Sequence, residues 1–152
     1  MIITQPESTQ DFERYYDLRW RMLREPWNQP KGSERDELEE RSLHIMVCKE
    51  DRIPVAVGRA HFNTDIEAQI RFMAVEPRFQ HTGLGSVILK KLEEEVRNLG
   101  AQYVILHSRE ASIPFYERHG YKIISPSHTL FESVSHVLMK KEFYPENKLK
   151  IN

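Results

Sequence analysis

The sequence predicts a mixed α/β domain, a central and mostly antiparallel sheet flanked by helices, and three observations predict it. Three strand-like runs follow one another, His44 to Lys49, Pro54 to Phe62 and Glu67 to Val75, joined by EDR and NTD, connections short enough for antiparallel hairpins. From Gly83 to Leu99 the apolar repeat lengthens: Leu84, Ile88, Leu92, Val96 and Leu99 make one face, and Lys90, Lys91, Glu93, Glu94 and Arg97 the other, so a helix follows the meander. Beyond it come a strand at Gln102 to Ser108, a short helix at Ile113 to His119, and strands at Tyr121 to Ser125 and Val134 to Lys141. Only one sheet with helices packed on it accommodates that order.

The remaining elements fit around this frame. Ile2 to Gln5 opens the sheet, and Ser8 or Thr9 caps a helix whose Phe12, Tyr15, Tyr16, Met22 and Leu23 share a face and which Pro26 stops. PWNQPKGS is rich in turn formers, and SERDELEERS after it reads as a short, very polar helix in what is expected to be the most mobile segment. Gly100 and Gly120 end their helices. The order is β-α-α-β-β-β-α-β-α-β-β in a single domain, residues 1–152, with a frayed tail at 145–152 and no internal repeat.

Composition narrows the function. The 22 Lys and Arg balance 23 Asp and Glu, so the domain lacks the basic footprint of nucleic-acid binding. Cys48 is the only cysteine, which excludes an internal disulfide framework and any zinc site needing two thiolates from this chain, and no metal is expected. The N-terminus MIITQPESTQDF has no secretory pattern, and no apolar run approaches the roughly 18 residues that span a bilayer. The expectation is a cytoplasmic protein with no membrane partner; a homodimer is left open.

The most informative segment is AVEPRFQHTGLGSVIL, where a strand ends at Val75 and a glycine-bearing loop leads into an amphipathic helix. A first helical turn leaves about four N–H groups unpaired and carries about half a positive charge, and Gly83 and Gly85 let the backbone approach a bulky anion. Two glycines can also serve tight turning alone. A dinucleotide fingerprint needs a third Gly where Ile88 stands, and a Walker loop needs Gly-Lys-Ser/Thr where the chain has Gly85, Ser86 and Val87, so neither nucleotide reading holds.

Gln80-His81-Thr82-Gly83-Leu84-Gly85 resembles the Q/R-x-x-G-x-G/A loop of the GNAT superfamily of N-acetyltransferases, and Ile70 to Val75 with Pro77 resemble its signature strand and exit. The resemblance implies a GNAT-like fold with acetyl-CoA as cosubstrate. It implies that Gln80, His81, Thr82, Gly83, Leu84, Gly85 and Ser86 hold the CoA pyrophosphate, that the main chain of Met73, Ala74 and Val75 pairs with pantetheine, and that an N–H near Val75 binds the oxyanion. Farther on, the run from His107 to Tyr121, with Phe115, Tyr116 and Gly120, resembles the family's N-x-x-A-x-x-F-Y-x-x-x-G-F/Y signature. By that resemblance Tyr116 protonates the departing CoA sulfur. Ser112 can cap the short helix, whose first turn tolerates Pro114.

Acyl transfer to an amine needs a neutral nucleophile, and a lysine-like amine with a pKa of about 10.4 is almost wholly charged at neutrality, so a base or water relay is implied. Many members of the family place a Glu on the signature strand where this chain has Gln69. Glu67, two residues earlier on the same strand face, is the alternative, acting through water. His107 stands near the place of the family's Asn and is a third catalytic candidate; His61 and His136 are weaker ones. Residues 15–40 and 126–136 would build the acceptor pocket, with Tyr15, Tyr16, Trp20 and Trp27 as candidate lining or core. The expected function is transfer of acetyl to an amine of a small molecule or peptide by direct attack. A non-catalytic acyl-CoA-binding regulatory or interaction module with the same fold is the alternative.

Overall fold

The computed structural model describes residues 1–131 and 133–143, so the predicted tail at 145–152 lies outside the described residues. In chain order the elements are β1 (Ile2–Thr4), α1 (Thr9–Leu23), β2 (Leu43–Cys48), β3 (Pro54–Phe62), β4 (Glu67–Val75), α2 (Leu84–Asn98), β5 (Tyr103–Arg109), α3 (Ile113–Arg118), β6 (Lys122–Leu130) and β7 (Val134–Glu142). The strands form a 7-stranded sheet in the order β1-β2-β3-β4-β5-β7-β6. Pairing is parallel between β4 and β5, whereas β1 with β2, β2 with β3, β5 with β7, and β6 with β7 are antiparallel, as the short connections from β2 to β3 and from β6 to β7 require of those two pairs. The chain packs as two compact units, Met1–His61 with Ile70–Glu94, and Phe62–Gln69 with the chain from Glu95 onward.

In the first unit, α1 starts at a capping box: Ser8 Oγ accepts from the Asp11 amide at 3.0 Å, and the Asp11 carboxylate accepts from the Ser8 and Glu7 amides. Arg52 closes on the same carboxylate at 2.7 Å, and that hydrogen bond is the main cause that holds Asp11 well below the usual carboxylate range. The same face of α1 buries Tyr15 and Leu18 completely in a cluster with Met46, Cys48, Val57 and Ala74. Each large apolar side chain in such a cluster contributes about 1.5–3 kcal/mol. Tyr15 is therefore core, its hydroxyl spent on the Gly58 carbonyl at 3.0 Å and on His44. A Cβ on Gly58 would meet Ile88 Cγ2 at 2.5 Å and Leu92 Cδ1 at 2.9 Å, so the bare backbone of β3 seats α2.

The polar helix expected over SERDELEERS does not form; the segment is made of turns, with a single 3-10 turn at Glu39–Arg41. Its carboxylates are used elsewhere. Asp36 Oδ1 accepts from the Leu38 amide at 2.9 Å, a local bond that competes with helix, and Asp36, Glu39 and Glu34 serve as ion-pair partners. Glu34 within the segment is buried, 3% exposed.

In the second unit β5 pairs along its whole length with β7, from Tyr103 opposite Glu142 to Arg109 opposite His136. The last strand pair extends farther than the sequence predicts: β6 runs past Ser125 to Leu130. Pro126 is tolerated because β6 is an edge strand, and register shifts between Ile123 and Ser125 and between Pro126 and Thr129 absorb the misfit. Ser112 does not cap α3, because a 3-10 turn at Glu110–Ser112 feeds straight into the helix and leaves Ser112 in the helical region. The Tyr121 amide returns to the Tyr116 carbonyl at 3.1 Å, and the Tyr121 ring, 2% exposed, buries itself as the chain enters β6.

Candidate active site

The first unit carries the glycine loop. After Val75 the Glu76 amide bonds the Val55 carbonyl at 2.8 Å, and Arg21 of α1 grips the Glu76 carboxylate at 2.8 and 3.0 Å, which fixes where β4 ends. A 3-10 turn at Pro77–Phe79 follows; Gln80 donates back to the Val75 carbonyl at 3.2 Å, and the Thr82 hydroxyl donates to the Phe79 carbonyl. His81 (φ 63°) and Gly83 (φ 90°) both take left-handed backbone, and α2 starts immediately after them. A Cβ on Gly83 would meet nothing within 4 Å, so glycine is required there by conformation and not by crowding. The result is an exposed loop that delivers the unpaired first-turn amides of a 15-residue helix to open space. Met73, Ala74 and Val75, the predicted pantetheine residues, lie directly upstream on β4, Ala74 buried and its neighbours half-buried.

Midway along β4, Phe72 has φ 57°, a left-handed residue inside a strand. The guanidinium carbons of Arg71, Arg19, Arg59 and Arg24 lie 4.4, 4.5, 4.9 and 5.6 Å from its ring centroid. Arg59 and Arg19 have fully buried side chains. Arg59 donates to Asp36 at 2.6 Å and to Glu39 at 2.7 Å, Arg19 to Glu39 at 2.8 Å, and Arg71 to Asp36 at 2.8 Å. Burial pushes the Asp36 carboxyl up, but the bonds from Arg59 and the Leu38 amide, with the charges of Arg59 and Arg71, outweigh it and bring the group down to about 2. His44 Nε2 sits 2.7 Å from the Glu39 carbonyl, which can only accept, so Nε2 carries the proton; burial holds the ring below its usual pKa and neutral. His61, one of the weaker predicted bases, is buried with Nδ1 3.1 Å from Arg59 Nη2, so that nitrogen is an acceptor already in use. Sequence reasoning missed this network. The signal was there: Arg19 stands four residues after Tyr15 on the apolar face of α1, and Arg59 interrupts an otherwise apolar run.

The second unit carries the other motif. Glu67 opens β4 with both oxygens engaged, Oε1 by the Tyr103 hydroxyl at 2.9 Å and Oε2 by Asn63 at 2.8 Å, and Asn63 also donates to Gln69 at 3.0 Å. Tyr116 on α3 is partly buried; desolvation pushes its phenol up to about 12 while the charge of Arg109 pulls the other way, so it is a protonated donor at neutral pH. Arg109 lies opposite His136 in the β5–β7 pair, and His107 stands two residues before it. His107 Nδ1 is 2.5 Å from Ser127 Oγ, which is 2.9 Å from His128 Nδ1, and the His128 ring stacks on His136 at 4.6 Å and 18°. Three imidazoles and a hydroxyl thus share one face with Arg109. His107 and His136 were visible in the sequence as separate candidates, but Ser127 and His128 were not, because β6 was expected to end before them.

Among the described residues no group of three or more His, Cys, Asp or Glu side chains is arranged to hold a metal ion, and no helix is long and apolar enough to cross a membrane.

Comparison with known proteins places these features in a family. The model of the Acetyltransferase (GNAT) family matches residues 12–121. The chain is 33% identical over 115 residues to the uncharacterized N-acetyltransferase YjcF of Bacillus subtilis, an alignment covering 76% of this chain and 81% of that one. Two solved structures share its fold. An aminoglycoside 6'-N-acetyltransferase complexed with coenzyme A superposes with a TM-score of 0.80 at 18% identity, over 96% of this chain and 99% of the other. A GNAT family acetyltransferase from Elizabethkingia anophelis with acetyl-CoA bound gives 0.74 at 13% identity, over 93% and 97%.

Proposed function

The chain belongs to the GNAT acetyltransferase family, and from that premise we propose that it moves the acetyl group of acetyl-CoA directly onto an amine of a small molecule or peptide. The observation that carries the reading is the glycine loop, where left-handed His81 and Gly83 open the start of α2 to an anion. In this reading Gln80, His81, Thr82, Gly83, Leu84, Gly85 and Ser86 take the pyrophosphate, the main chain of Met73, Ala74 and Val75 takes pantetheine, and an N–H near Val75 stabilises the oxyanion. Tyr116, kept protonated by burial, donates to the sulfur as the C–S bond breaks. Glu67 is the weaker base candidate, since its two oxygens already serve Tyr103 and Asn63.

Two measurements test this. Acetyl-CoA at about 100 times its dissociation constant should stabilise the protein by about 2.7 kcal/mol, and NAD and ATP far less. Gly83→Val should abolish most of that shift, because a β-branched residue resists φ 90° and shields the amides; an unchanged shift would refute the loop assignment. Turnover is then read as thiol release against a panel of alkylamines, amino acids, polyamines, aminoglycosides and peptides with free N-termini. Binding without release across the panel supports the non-catalytic CoA-binding module instead.

A further inference from the structure

The acetyl transfer proposed above has to dispose of a proton. As the amine nitrogen bonds the thioester carbon and the C–S bond breaks, the nitrogen sheds one proton and the sulfur gains one from Tyr116, so a base must accept the first and the phenolate must be reprotonated. Gln69 cannot take a proton, and Glu67 is bonded at both oxygens. The face that Arg109 shares with His107, Ser127, His128 and His136 holds three further proton acceptors of the second unit, and the charge of Arg109 reaches Tyr116.

We propose that His107, Ser127 and His128 form a proton relay: His107 receives the proton from the attacking amine, Ser127 passes it, and His128 delivers it to water, with His136 as the positioning residue beneath His128.

The geometry carries this. A hydroxyl has one proton to donate, so Ser127 Oγ, set between two Nδ1 atoms at 2.5 and 2.9 Å, donates to one and accepts from the other. One imidazole then bears its proton on Nδ1 and the other does not; with Nδ1–H on His107, a proton taken up at His107 Nε2 drives the Nδ1 proton to Ser127 Oγ, the Ser127 proton to His128 Nδ1 and the Nε2 proton of His128 to water, which leaves each ring neutral in the other's tautomer. A proton gained by His107 therefore emerges at His128. That ring lies exposed on the edge strand β6, where water can take it. His136 stacks on His128 with its Nδ1 2.9 Å from the Val134 carbonyl, which fixes its tautomer and with it the plane of the stack. Burial, ahead of the charges on His128, Arg109 and His107, holds His136 below its usual pKa. The charges of His128, Arg109 and His107 all oppose a proton on His136. A histidine ordinarily has a pKa of about 6.5, in the range a base working at neutrality requires.

The inference rests on the acetyltransferase reading, and the experiment separates the two. Histidine ring 15N NMR across pH 5–9 on the intact protein, free and saturated with CoA, should show opposite tautomers for His107 and His128 and a joint titration (the pH span brackets a pKa of about 6.5). Ser127→Ala should abolish that coupling, and Ser127→Thr, which keeps the hydroxyl, should restore it. In kinetics with whichever amine of the panel above releases CoA fastest, Ser127→Ala should lower kcat/KM by about tenfold and His107→Gln by about a hundredfold, within the usual range for general bases. The acid limb of the pH profile should move in both. A merely structural hydrogen bond would shift the melting temperature and leave the pH profile in place. Independent titration of the two rings, or an unmoved acid limb in Ser127→Ala, overturns the relay while leaving acetyl transfer standing. CoA binding without turnover on any amine overturns both.

Discussion

The two units treat charge in opposite ways. In the first, Arg19 and Arg59 are fully buried and tied to Asp36 and Glu39, guanidinium against carboxylate. In the second, His107, His128 and His136 gather on a partly wet face with a hydroxyl and one arginine, and imidazole is the side chain whose ordinary pKa lies nearest neutrality. Constant charges can be sealed away from water because they are paired once, at folding. Groups that gain and lose a proton need water within reach, since each change of state would otherwise carry a full desolvation cost. Under the relay proposed above, the contrast separates a framework of paired charges from a face that moves protons.

The sharpest way to break it is Arg59→Met, which leaves Asp36 and Glu39 buried without their shared partner. Urea unfolding should show a loss of about 3–5 kcal/mol, against about 1 kcal/mol or less if the network behaves like a surface pair. CoA-dependent stabilisation of whatever remains folded should be retained.

Next in size is Tyr116→Phe, which keeps the ring and removes the proton. Turnover should fall about ten- to a thousandfold at neutral pH with CoA affinity unchanged, and the deficit should shrink as pH rises past about 8.5, where a thiolate leaves unaided. Full activity in the Phe variant would make Tyr116 part of the packing around Tyr121 and nothing more.

Acid should separate the units more gently. Asp36 has its folded pKa lowered to about 2, so its contribution is complete above the unfolded value of about 3.9 and disappears as pH falls from there toward about 2. With the side chain 15% exposed, that is about 2 kcal/mol lost over the window. Both tryptophans, Trp20 and Trp27, belong to the first unit, so their fluorescence should follow this loss. Asp36→Asn should flatten the dependence; an equally steep fall in that variant would assign it to other carboxylates.

Most of the architecture was legible in the sequence because it depends on local patterns. The bounds of β3 and β4 follow from apolar runs flanked by turn residues, the start of α1 from Ser8, and the glycine loop from the abrupt change of period at Gly83. The failures share a cause. SERDELEERS has helical composition, but Asp36 and Glu39 answer to arginines on α1, β3 and β4, partners that no local pattern announces. β6 continues past Pro126 because it lies at an edge, and edge position is a property of the whole sheet. With the end of β6 misplaced, Ser127 and His128 went unread, and the histidine face could not be assembled from His107 and His136 alone.

Gly58 lies on β3, far along the chain from the loop that would hold the anion, and its substitution has nothing to do with ligand contact. Yet the gap to Ile88 and Leu92 is too small for one methyl group, so even Gly58→Ala would have to lift α2 or push β3 aside. Lifting the helix moves its first turn, and with it the amides proposed to hold the pyrophosphate. If the loop holds the anion as proposed, its aim is calibrated by a hydrogen atom on a neighbouring strand, and drift at that position would detune the site while each of its residues stayed the same.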